Sequence, residues 1–94
     1  MEVQRKENGD EGKFFIEENE NRLGLMTYKK SGDGTITIDH TEVDSNHRGK
    51  GLGEDMVAAG VKYARENDLK IVPSCPFAKK VIDEKPEFQD VLAV

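Results

Sequence analysis

The chain has 94 residues, 19 acidic and 14 basic, for a formal net charge of -5, and its charged and hydrophobic residues each make up 35%. That length suits one domain spanning 1–94, with one core and one site, and the acidic balance without a Lys/Arg-rich stripe argues against a nucleic-acid partner. One cysteine excludes an intramolecular disulfide and a cysteine-based metal cage, so no metal site is expected.

Met1 to Gly12 is polar and charged and reads as a flexible leader. In Lys13 to Glu17, Phe14 and Ile16 alternate against Phe15, the pattern of a strand. Asn19-Glu20-Asn21 signals a turn, and Arg22 to Lys29 reads as a second strand with Leu23 and Leu25 opposite Met26 and Tyr28. Ser31-Gly32-Asp33-Gly34 is a second turn, so three strands form an antiparallel meander. In the third, Thr35 to Val43, alternation puts Ile36, Ile38, His40 and Glu42 on one face and Val43 on the other. Such a break marks either a β-bulge or a strand that ends near Thr41.

After Asp44-Ser45-Asn46 comes the glycine-rich turn His47-Arg48-Gly49-Lys50-Gly51-Leu52-Gly53. A helix follows from about Leu52 to Asn67, with Leu52, Met56, Gly60 and Tyr63-Ala64 as its apolar stripe. Gly60 inside the helix marks a place where it lies close on the sheet. Leu69 to Val72 is a short strand, which makes a strand–helix–strand unit with two parallel strands. Pro76 opens a second helix with Phe77, Ala78, Val81 and Ile82 as its apolar face, and Pro86 ends it. Phe88, Val91 and Leu92 are expected to cover the sheet as a tail. No apolar run approaches the ~20 residues that cross a bilayer, so no membrane partner is expected. With the single cysteine, a reducing, cytoplasmic setting is the default expectation.

The glycine turn lies between a strand and a helix. Its glycines let backbone approach a ligand closely, and the helix start aims free amides outward, a geometry suited to a pyrophosphate. Arg48, Lys50 and His47 add cationic character. A P-loop requires Gly-Lys-Ser/Thr, whereas Leu52 follows Gly51 here; a dinucleotide fingerprint requires a third glycine where Glu54 stands. A tight exposed loop without a ligand has the same composition.

Arg48-x-x-Gly51-x-Gly53 resembles the pyrophosphate-binding signature of the GNAT superfamily of acyl-CoA-dependent N-acyltransferases. With His40-Thr41-Glu42-Val43 before it and Pro73-Ser74-Cys75-Pro76-Phe77-Ala78 after it, the chain is similar, from Phe14 to Leu92, to a small GNAT-like family of short acetyltransferase-type chains. The resemblance implies an α/β (α+β) fold: a GNAT-like mixed sheet with an antiparallel N-terminal meander, the strand–helix–strand unit and a C-terminal helix. It implies acetyl-CoA as cofactor and an amine as acceptor. It also implies that Glu42, Val43, His47, Arg48, Gly49, Lys50, Gly51, Leu52 and Gly53 hold that cofactor, in a gap where the bulged strand splays from the strand after the helix. Many superfamily members carry a tyrosine acid on the last helix, where this chain has Val81 and Ile82.

Acyl transfer from a thioester needs a neutral amine, a donor for the oxyanion and a proton for the departing thiolate. The titratable candidates are His40, Glu42, His47 and Cys75. Cys75 leads, because it precedes Pro76 at a helix N-terminus, where thiol pKa falls; the other reading is a small packing residue. His40 shares the parity of Ile36 and Ile38 and either points into the gap or rests as a half-buried, satisfied histidine. The alternative function is a non-catalytic acyl-CoA-binding module; a third is an interaction domain that has lost the cofactor.

Overall fold

A computed structural model of the chain describes residues 2–93. Strands β1 (Gln4–Asn8), β2 (Glu11–Glu18), β3 (Asn21–Lys30), β4 (Thr35–Val43) and β5 (Lys70–Pro73) lie side by side in sequence order in one sheet. The first four pair antiparallel and β5 pairs parallel to β4. Helix α1 (Leu52–Glu66) crosses over between β4 and β5, α2 (Pro76–Glu84) follows, and 3-10 turns occupy Ser45–His47 and Pro86–Val91. The mixed sheet, meander, strand–helix–strand unit and C-terminal helix expected from the sequence are all present.

The core follows from alternation on the strands meeting a stripe on the helix. Phe14 and Ile16 of β2, Met26 and Tyr28 of β3, and Ile36 and Ile38 of β4 are buried against Met56, Val57, Val61 and Ala64 of α1. Gly60 brings α1 close to the sheet, since a Cβ there would sit 3.2 Å from the Met26 methyl. Leu23 joins this core although its parity with Leu25 predicts otherwise, because β3 bulges there: Gly24 pairs with Ile16 and Arg22 with Glu17. The tail packs on the core as expected, with Val91 buried in it and Phe88 and Leu92 against it. Leu92 also bridges to Ile71, and Ala93 N–H donates to the Ile71 carbonyl at 2.8 Å, extending the β5 edge.

Residues 4–8 are not a leader. They form β1, paired with β2 through a two-residue turn at Gly9-Asp10, with Gly9 at φ 64°. All five β1 residues are exposed, so hydrophobic periodicity carries no sign of the strand. Polar contacts hold it instead. The Glu7 carboxylate accepts from Tyr28 Oη at 2.6 Å, Lys30 Nζ at 2.7 Å, Arg5 Nη1 at 3.0 Å and Tyr63 Oη at 3.1 Å. The Arg5 guanidinium lies 4.2 Å over the Tyr63 ring. Gly12 makes room for this cluster, because a Cβ there would lie 2.3 Å from the Tyr28 ring.

The Lys30 ammonium first, and then the Tyr28 hydroxyl, draw the Glu7 carboxyl from its ordinary 4.5 down to about 2. A carboxyl lowered on folding stabilises above its unfolded pKa, and that contribution fades as pH falls toward the folded value. Water screens this surface cluster, so Glu7→Gln is expected to cost roughly 1 kcal/mol at neutral pH. Urea unfolding of both proteins should show that difference shrinking as pH is lowered from 4.5 toward 2. A difference independent of pH assigns the effect to packing.

Candidate functional site

One residue of β4 has no partner in β3. Tyr28 pairs with Ile38 and Thr27 with His40, which leaves Asp39 as an extra residue, its carboxylate accepting from Thr27 Oγ1 at 2.5 Å. This is the bulge that the parity break predicts, placed just ahead of His40. Past it the inward face changes register. Ile36 and Ile38 face the helices before the bulge; Thr41, opposite buried Met26, and Val43, packed on the core, face them after it.

Pairing between β4 and β5 stops at the same level. Its last pair is Ile38 with Pro73, and Cys75 N–H then donates to the Ile38 carbonyl at 3.0 Å before α2 turns away. From Asp39 to Val43, β4 therefore has no strand on that side, and half of its backbone donors and acceptors face an opening.

That opening is a cleft of about 450 Å³, with Thr41, Glu42 and Val43 along one wall. The facing wall is the glycine turn, through His47, Arg48, Gly49, Gly51, Leu52 and Gly53; Glu54 and Phe77 complete it. Gly49 and Gly51 adopt φ of 82° and 78°, the left-handed region that disfavours side chains. Gly51 caps α1, its carbonyl accepting from Asp55 N–H at 3.0 Å, with no side chain capping the helix start. The amides of Leu52, Gly53 and Glu54 therefore lack helical acceptors, at the positive end of the dipole. His47 is half-buried with its ring Nδ1 2.8 Å from Asp44 Oδ2, which fixes the imidazole against the cleft. Lys50 lies in the turn but is exposed and outside the cleft lining, because the chain reverses between Gly49 and Gly51.

Cys75 is the N-cap residue of α2 and is 6% exposed. Its thiol donates to Thr41 Oγ1 at 3.4 Å, so Thr41 stands between it and the cleft. Burial pushes the thiol pKa up. The Thr41 hydroxyl and the amides of Ala78 and Phe77 at the helix start outweigh that, and the thiol titrates below its ordinary value. His40 is not in the cleft. The Asp39 bulge turns it to the sheet face opposite the helices, where its ring bonds the Glu42 carboxylate at 3.0 Å, with more than half of each side chain exposed. The Glu42 carboxylate reaches His40 on that face, and the residue also lines the cleft.

Sequence reasoning missed Thr41 and Phe77. Thr41 would follow from parity had the extra residue been placed at Asp39. Phe77 counts toward the apolar face of α2, but the helix buries only Ala78, Val81 and Ile82.

The bulged strand, the parallel crossover and the glycine turn capping its helix define a GCN5-related N-acetyltransferase (GNAT) fold. A family model described as GCN5-related N-acetyl-transferase matches residues 13–91, and the chain belongs to that family. A GCN5-like protein from Staphylococcus aureus, solved in solution, is 36% identical with a TM-score of 0.74, over 96% of this chain and 87% of that one. Protein NATD1 of Xenopus tropicalis is 31% identical over 62 residues, 66% of this chain but only 57% of that protein's length. A streptothricin-acetyltransferase-type protein of Bacillus anthracis, solved in complex with acetyl coenzyme A, shares the fold at 19% identity, with a TM-score of 0.63 over 79% of this chain and 47% of that one.

Thr41→Val removes the hydroxyl while keeping the thiol buried, so the Cys75 pKa should rise. Thiolate ultraviolet absorbance followed against pH reads the change. An unshifted curve assigns the lowering to the α2 amides alone.

Proposed function

We propose that the chain binds acetyl-CoA in this cleft and transfers its acetyl group to an amine. The observation that carries the reading is the opposition of two unsatisfied backbone surfaces across one opening: the α1 amides presented by left-handed Gly49 and Gly51, and the β4 edge freed at Asp39. The first suits a pyrophosphate, with Arg48 as its cation and His47 beside it. The second suits the amides of a pantetheine arm, which pair with a strand as another strand does. Lys50 contributes long-range charge only. When bound, acetyl-CoA supplies an activated acetyl thioester.

The residues at the root of the cleft then manage a proton. Val81 and Ile82 of α2 are buried in the core, so no hydroxyl from that helix reaches the cleft. The donor at the root of the cleft is the Cys75–Thr41 pair. Thr41 gives its hydroxyl proton to the departing sulfur and takes one from the Cys75 thiol, which ends as a thiolate held by the α2 amides. The amine loses its own proton to solvent, and the thiolate is reprotonated from solvent. A backbone N–H of the freed β4 edge is the donor for the oxyanion. The acceptor amine attacks directly, since the buried thiol lies behind Thr41.

The test has two parts. Acetyl-CoA at a hundredfold excess over its Kd should raise stability by about 2.7 kcal/mol, visible on heating. Gly51→Glu, which puts a strained, negatively charged side chain in the turn, should abolish that shift. Cys75→Ala should keep binding and lower transfer about 100-fold, with Cys75→Ser partly restoring it. An acetyl adduct on wild-type Cys75 would instead make the thiol a nucleophile. Binding without turnover on any amine makes the chain an acyl-CoA-binding module.

A further inference from the structure

Phe77 lines the cleft but has no part in the proton chemistry above. At 36% exposure it is one of two large apolar side chains left open among the described residues; the other, Val72, lies on β5 away from the cleft. Phe77 does not join the core with its helix neighbours Ala78, Val81 and Ile82. Its ring lies over Gly53 instead, where a Cβ would sit 2.5 Å from Phe77 Cζ. Gly53 therefore differs from Gly49 and Gly51, which have open space around them and positive φ. The third glycine of the turn is the seat of an aromatic ring.

The rest of the cleft is mostly polar: turn amides, Arg48, His47 and the free edge of β4. Leu52 is 4% exposed and Val43 is partly buried in the core. Phe77 is therefore the main apolar surface open to an occupant. A ligand that stops at the pyrophosphate brings no arm to this ring, whereas one that runs on as methylenes and amides does. Phe77 stands two residues beyond Cys75, at the start of the same helix.

We infer that Phe77, seated on Gly53, grips the pantetheine arm and makes the site selective for a whole acyl-CoA over its nucleotide half. This rests on the reading of the cleft as an acyl-CoA site. The experiment is calorimetric titration of wild type, Phe77→Ala and Phe77→Leu with acetyl-CoA and with ADP, which has the pyrophosphate but no arm. Phe77→Ala is expected to weaken acetyl-CoA by about tenfold and leave ADP unchanged, with Phe77→Leu recovering most of the loss. Equal losses for both ligands, or none for either, overturn the inference while the cofactor reading stands. Failure of wild type to bind acetyl-CoA overturns both.

Discussion

Asp39 adds one residue to β4 that β3 does not match, and most of the candidate site depends on that insertion. Side chains on a strand alternate, so one unpaired residue exchanges the two faces for everything downstream. Thr41 and Val43 come to the helix side, while His40 and Glu42 go to the other. The bulge also bends the strand at the level where pairing with β5 ends. Without it, a regular ladder could continue past Ile38 and satisfy the backbone groups that now face the cleft. The opening exists because the sheet leaves those groups unpaired beside a glycine turn that also leaves amides unpaired.

An acidic chain proposed to hold an anionic cofactor needs local compensation. Glu54 and Asp55 stand in the first turn of α1, and Glu54 borders the cleft. Each exposed charge or dipole contribution is worth roughly 0.3–1 kcal/mol, so no single group decides the sign. Arg48 and the three residues with free amides line the cleft proposed for the pyrophosphate, whereas the net charge of -5 acts across solvent and is screened within about 8–10 Å. In the first helical turn the acidic residues steady α1 by opposing its dipole, and the amides keep their donors for a ligand.

Most of the fold was legible because apolar residues carry the period of their element. Phe14/Ile16, Met26/Tyr28 and Ile36/Ile38 mark the buried strand face, and Leu52, Met56, Gly60 and Ala64 mark the helix stripe. The strand β1 was not legible, since Gln4–Asn8 has no apolar residue and is held by Glu7 contacts reaching as far as Tyr63. Of the site, the turn was legible from glycine spacing. The bulge could be sensed but not located: Asp39, His40 and Glu42 are all polar, so the parity break registers only at Val43. That delay put His40 on the wrong face. Phe77 was misread because an aromatic one residue from a buried position fits an apolar helix face as well as a cleft wall.

Three features that seem separate along the chain are one geometric unit in space. The hydrogen bond from Cys75 N–H to the Ile38 carbonyl is the last rung between β4 and the chain leaving β5. It lies at the apex of the splay, immediately before the bulge. The same residue caps α2, so the rung fixes where that helix starts and where Phe77 projects. Its thiol reaches Thr41, which faces inward only because Asp39 has shifted the register. Removing the bulge would turn Thr41 outward and leave the Cys75 thiol without the hydroxyl that lowers its pKa. The chemistry proposed at the root of the cleft, and the aromatic wall above it, thus depend on the same backbone irregularity that opens it.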